Sequence, residues 1–241
     1  RGDGEFVEVS DAMGVENYWP WGVSAADLNA DGWEDLFITA SMSYPFHYGV
    51  NSVLLNDRGE IFRDSEFILG VEPRRDGATH LAWFDLDCAG EHREHDHCEG
   101  QSGTVRIMGT LGTRASAVFD LDDDGDLDVV THEFGAPPQV LISDLAQKKE
   151  IRWLEVELTG TRSNRDGLGA EVTVVAGDAR YTKVHDGKSG YLTQSSLPLY
   201  FGLGDAEAVD RVEVRWPSGV EQVVTESIAL NGLLEIEEPA E

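Results

Sequence analysis

Two nine-residue stretches carry oxygen-bearing side chains at the same places. Asp27-Leu28-Asn29-Ala30-Asp31-Gly32-Trp33-Glu34-Asp35 and Asp120-Leu121-Asp122-Asp123-Asp124-Gly125-Asp126-Leu127-Asp128 both have Asp or Asn at positions 1, 3, 5 and 9. Alternate residues of such a loop can point into one cavity, and Gly at position 6 lets the chain reverse around it. The main-chain carbonyl of position 7, Trp33 or Asp126, can add a further oxygen. The matched positions hold three carboxylates in the first loop and four in the second. Packed into one short turn they repel each other unless a cation sits among them. A hard donor set without His or Cys favours calcium, which takes roughly six to eight oxygens, over zinc. An Asp-Gly hairpin turn needs no ion, but a bare turn does not explain two copies matched at four positions. Two calcium ions are therefore expected.

The loops begin like an EF-hand, yet Ile38 and Thr131 stand at position 12, where that motif needs an acid. Their flanks read as strands rather than helices. Asp85-Leu86-Asp87 starts in the same way but has Ala89 at position 5. Asp85 and Asp87 are thus a weaker candidate for a third calcium. Cys88 and Cys98 bracket a polar loop with no CxxC spacing, which argues against redox or c-type haem chemistry. A disulfide closing that loop is the preferred reading, adding about 2–3 kcal/mol on the chain-entropy view and implying a place outside the cytosol. The rival is a metal site built from His92, His95 and His97, with or without the thiolates.

Acid outweighs base throughout: 46 Asp+Glu against 18 Lys+Arg, a net charge of −28. Residues 151–241 hold 16 acidic and 8 basic side chains, so residues 1–150 hold 30 and 10. Part of this is solvated surface and part is cation ligand. Nucleic acid is excluded as a partner because no basic face exists to meet phosphate. The 41% hydrophobic content supports a real core, and no apolar run is long enough to span a membrane as a helix. The chain opens at Arg1 with no apolar leader, which reads as a processed or trimmed start. Arg1-Gly2-Asp3 spells an adhesion tripeptide but sits where a turn precedes the repeat.

The elements that must hold these loops are β-strands. Phe37-Ile38-Thr39, Val53-Leu54-Leu55, Val105-Arg106-Ile107-Met108, Val129-Val130-Thr131 and Val140-Leu141-Ile142 are short β-branched runs between turn residues. The first part repeats itself. Phe6/Phe62 and Gly14/Gly70 are offset by 56, Asp27/Asp85 by 58, while Asp120 follows Asp85 by only 35. A period of this size marks a propeller or array whose sheets cannot bury their faces alone. Beyond Gln147-Lys148-Lys149-Glu150 the pattern changes to clean alternation: Leu154/Val156/Leu158 against Trp153/Glu155/Glu157, and Val212/Val214/Trp216 against Arg211/Glu213/Arg215. That predicts a second, smaller β domain over 151–238, one sheet face in a core and the other in water. The first unit spans 1–148.

The Asp27 and Asp120 loops resemble the calcium loops of FG-GAP/VCBS repeats, the blades of integrin-like β-propellers. Four stretches of the second unit resemble the ASPIC/UnbV domain of the cartilage acidic protein family and its bacterial members: Gly160-Thr161-Arg162-Ser163-Asn164-Arg165-Asp166-Gly167-Leu168-Gly169-Ala170, Gly190-Tyr191-Leu192, Phe201-Gly202-Leu203-Gly204 and Val212-Glu213-Val214-Arg215-Trp216-Pro217-Ser218-Gly219. The resemblance implies a partial propeller of two to three blades, then a small antiparallel β-sandwich or barrel-like domain. It also implies a secreted or cell-surface, calcium-binding module for adhesion or assembly, with protein or glycan ligands. Two or three blades leave faces open, so further blades or copies of the chain are expected to cover them.

Two rival functions stay open. One is a propeller-based polysaccharide lyase or sugar dehydratase, for which His47, His80, His132, His185, Tyr44 and Tyr48 could supply acid–base groups, though no spacing links them. The other is a structural subunit of an extracellular assembly. In the second unit Arg162, Asn164, Arg165, Asp166, Tyr191 and Gln194 could line a ligand site, but Asn164 to Gly167 is also what a tight turn needs.

Overall fold

A computed structural model describes residues 4–41, 47–188, 190–194 and 197–240. Arg1-Gly2-Asp3 and Tyr44 lie outside the described residues. The described chain is almost wholly β, with two four-residue helices, α1 (Ser10–Met13) and α2 (Leu145–Lys148).

The first sheet is a meander in chain order: β1 (Pro20–Ala26), β2 (Asp35–Ala40), β3 (Ser52–Asp57) and β4 (Ile61–Asp64). The first Asp-rich loop joins β1 to β2, which pair antiparallel with Ala26 opposite Asp35. β2 is buried on both faces, unlike the edge strands β1 and β4. Two more strands, β5 (His80–Asp87) and β6 (Thr104–Thr110), form a separate hairpin. The third sheet contains β7 (Thr113–Phe119), β8 (Asp128–Glu133) and β9 (Val140–Leu141), and the second Asp-rich loop joins its first two strands.

This topology explains the short spacing from Asp85 to Asp120. The copy that starts at Asp85 ends β5 and leads through a disulfide-closed loop into β6, making a two-stranded hairpin rather than a four-stranded sheet. The copy that starts at Asp120 belongs to the third sheet, whose β7 packs beside β1. Ser24 and Ser116 meet there, oxygen to oxygen at 2.8 Å, and Thr39 Oγ1 donates to the Arg114 carbonyl at 3.2 Å. Phe37, Val53 and Val129 form the apolar core between these two sheets, flanked by Leu28, Leu55, Val118 and Leu141. Neither sheet closes on itself.

A buried ion pair fixes the same junction. Arg74 Nη1 lies 2.6 Å from Glu133 Oε2, with both side chains almost fully out of water. Thr113 and Thr131 donate to the other Glu133 oxygen at 2.8 and 2.7 Å. Tyr48 donates its phenol to Glu72 at 2.7 Å and accepts from Arg74 Nε at 2.7 Å. With its partners supplied, the charge survives burial; with one removed, it would be costly.

No hydrogen-bonded ladder among the described residues links these strands to those after residue 150. There, β10 (Trp153–Thr159) is followed by β11 (Glu171–Ala176), β12 (Ala179–Val184), β13 (Leu199–Gly202), β14 (Arg211–Arg215), β15 (Glu221–Val224) and β16 (Leu233–Glu237). One sheet has the order β13-β10-β16 and faces another with the order β12-β11-β14-β15. The alternating residues do what their period demands: Leu154, Val156, Leu158, Val172, Val174, Val212, Val214 and Trp216 all enter one core. One pairing in this domain departs from the antiparallel pattern. β16 runs parallel to β10, Glu155 opposite Leu233. The chain leaves β15 in the other sheet and crosses over before pairing, so no hairpin dictates its direction.

Candidate metal centre

Both loops reach their shape by the same local means. Position 4 is left-handed in each, Ala30 at φ 56° and Asp123 at φ 60°, and so is the position 6 glycine, Gly32 at φ 91° and Gly125 at φ 95°. The glycine conformation would strain any side chain. The first carboxylate then accepts two main-chain hydrogen bonds across the turn. Asp27 receives Asp31 N at 3.0 Å and Gly32 N at 2.7 Å; Asp120 receives Asp124 N at 3.2 Å and Gly125 N at 2.7 Å. The ninth residue closes the loop: Asp35 accepts from Leu28 N and Asp128 from Leu121 N, each at 2.9 Å. The other Asp35 oxygen accepts from Asn56 N on β3, and that of Asp128 from Ser143 N, each at 2.7 Å. The loops are thus tied into their sheets by the carboxylates themselves.

Asp120, Asp122 and Asp124 each offer an oxygen within 4.8 Å of the others, and they are the one such group among the described residues. In the first loop the same positions are Asp27, Asn29 and Asp31, and the Asn29 and Asp31 side chains accept from Asp31 N and Trp33 N, both at 3.0 Å. Burial pushes Asp27 up to about 6 and Asp35 up to about 7. Those values mark carboxylates held out of water without full compensation. Among the described residues no Lys or Arg forms an ion pair with any ligand-position Asp of either loop; Lys183 pairs instead with Glu34. Asp126 is fully buried; its Oδ2 accepts from Ala146 N at 2.7 Å, while Oδ1 has no partner. An all-oxygen, uncompensated donor set of this kind fits a hard divalent cation.

The other candidates fare differently. Asp85 spends both oxygens on Arg106 across the β5–β6 hairpin, at 2.8 and 2.9 Å, and Asp87 accepts from Ala89 N. Cys88 and Cys98 are joined in a disulfide with Cα atoms 5.2 Å apart. His95 and His97 stack on each other, and His92 Nδ1 accepts from Asp87 N. His47 precedes β3, His80 lies on β5, His132 on β8 and His185 after β12, and Tyr48 belongs to the buried Arg74 network. In the second unit Asn164 bonds both ways with Leu168 and Arg165 pairs with Asp166, as a turn would. Nothing in the spacing of the Asp-rich loops points to Trp153, Tyr181, Tyr200 and Gly202, which pack onto them from the second unit. The glycine inside Phe201-Gly202-Leu203 was the available signal.

The family described as ASPIC and UnbV matches residues 160–241, and an FG-GAP-like repeat matches residues 1–38, including the first Asp-rich loop. Cartilage acidic protein 1 of Xenopus tropicalis is 26% identical over the whole chain. The Homo sapiens protein of that name is 27% identical over 98% of it, and the Mus musculus protein 26% over 98%. The chain spans about two fifths of the length of these relatives, 41%, 39% and 40%. Residues 1–38 are thus similar to an FG-GAP-like repeat and residues 160–241 to an ASPIC and UnbV domain, and the chain as a whole is similar to cartilage acidic protein 1.

Proposed function

We propose that this chain is an extracellular, non-enzymatic adhesion or assembly module whose first unit binds two calcium ions, one in each Asp-rich loop. The observation that carries the reading is that two separate hairpins adopt one backbone conformation around clustered carboxylates. Asp27, Asn29, Asp31 and Asp35, and Asp120, Asp122, Asp124 and Asp128, would hold the ions, helped by the carbonyls of Trp33 and Asp126. The ions are structural: they neutralise buried like charge, and their binding free energy adds to folding. A place outside the cell is supported by the disulfide and by the name of the homologues.

The partner is a protein, a glycan, or further blades or copies of the chain. The last is favoured by a specific feature: an apolar groove of about 420 Å³ opens between the first and third sheets, where Ile68, Leu69, Val140 and Ile142 are exposed. Elemental analysis of protein purified in calcium, followed by calcium calorimetry, tests the metal reading. Two equivalents are expected; none would end it. Sedimentation of the full chain tests self-association.

A further inference from the structure

The tips of the two Asp-rich loops face the second unit, and they touch it through the atoms that define each loop. On the first loop, Gly204 N donates to the Ala30 carbonyl at 3.1 Å, the Tyr181 ring lies over Gly32, and Gly202 abuts the Asp27 carboxylate so closely that a methyl there would overlap it. On the second loop, the Tyr200 hydroxyl donates to the Gly125 carbonyl at 3.0 Å, and the Trp153 indole covers Gly125. Strand β13 alone therefore reaches both loops, Gly202 at one and Tyr200 at the other. Ala26, Leu127 and Tyr200, with Leu28, Val118 and Trp153 beside them, make a shared apolar core beneath these contacts.

We propose that the ASPIC and UnbV domain is the docking partner of the paired loops, and that calcium in the loops sets how firmly the two units hold together. The proposal rests on the calcium reading above. Its logic is geometric. The seam reads both left-handed positions of the first loop, through the Ala30 carbonyl and Gly32, and one of the second, Gly125. Those are the parts of the backbone that lose their restraint when unneutralised carboxylates push the turn open. An ion that holds the turn closed presents these groups to β13. By linkage, contacts from β13 must in return favour the ion-binding shape.

Hydrogen exchange on the full chain, in calcium and in chelator, tests this with no variant required. Amides of the seam, residues 152–154 and 199–206, should exchange roughly 5- to 150-fold more slowly with calcium, the range of common coupling strengths. The far strands β14 and β15 should change much less, which separates docking from a general gain in stability. Tyr200→Phe, which keeps the ring, should weaken calcium binding at one of the two sites by roughly 2- to 12-fold, one hydrogen bond's worth. Two bound calcium ions with the seam and far strands responding alike, or with unchanged affinity in folded Tyr200→Phe, would overturn the docking proposal and leave the calcium reading standing. No bound calcium would overturn both.

Discussion

Chelating calcium should lower the melting temperature strongly, and more at pH 8 than at pH 5.5. In the first loop burial pushes Asp27 from 3.8 to about 6 and Asp35 to about 7. Keeping them ionised in the fold costs about 3 and 4 kcal/mol at 1.36 kcal/mol per pH unit, partly shared because the Asp27 charge itself raises Asp35. A bound cation offsets that cost. At calcium near 100 times its dissociation constant each site adds about 2.7 kcal/mol. Two sites together give about 5 kcal/mol, and a chain of this size shifts by about 2–4 °C per kcal/mol. The expected drop at pH 8 is roughly 10–20 °C. The sign of the pH effect follows from proton uptake. Raised folded-state pKa values mean that, in chelator, the folded chain binds protons the unfolded chain has released between about pH 4 and 7, so the calcium-free protein gains stability as pH falls through that window. Those protons compete with calcium, so the difference between the two forms shrinks on acidification. Scanning calorimetry or fluorescence melts at both pH values measure it. A chelator effect below about 1 °C at pH 8, or one of equal size at both pH values, would refute the reasoning.

Asp31→Ala and Asp124→Ala should each remove one calcium equivalent while the other site survives, as counted by calorimetry. Arg74→Ala should cost about 3–5 kcal/mol in denaturant melts because it strands Glu133 in the junction between sheets; a cost under about 1 kcal/mol would show that the pair is not buried in solution. Glu238 accepts from three backbone amides of residues 161–163 and from the Ser163 and Ser218 hydroxyls. Although burial opposes its charge, these donors hold its pKa near 2. Its stabilisation should therefore be lost as pH falls from about 4.5 towards 2, and Glu238→Gln should flatten that stretch of the acid-unfolding curve. Mass measurement after alkylation without reductant should find no free thiol, since Cys88 and Cys98 are paired.

What was legible in the sequence was local. The Asp-rich loops could be recognised because their ligand spacing, their glycine and their flanking strands all lie within a dozen residues. The second core was legible because a two-residue period places Leu154, Val156 and Leu158, and likewise Val212, Val214 and Trp216, on one face whatever that face meets. The disulfide was legible because a separation of ten in an otherwise cysteine-free chain has one simple partner. One strand of the Asp85 copy, Val105 to Met108, was visible too, but not its partner β5 or the fact that their ladder stops at two. That is decided by which edges find partners, and Asp85 turning to Arg106 across the hairpin is invisible from spacing alone. The direction of β16 depended on a crossover between sheets. The seam between units depended on side chains from β10, β12 and β13 and on the Gly204 amide beyond β13, up to 174 positions along the chain from the loop atoms they touch, Gly204 to Ala30 being the longest reach. Short-range patterns in a chain select strands and turns, because sterics and hydrogen bonding act between near neighbours. Which finished surfaces then meet is settled by shape and burial in three dimensions, and nothing in the spacing of Asp27 or Asp120 records the tyrosine and glycine of β13 that close over them.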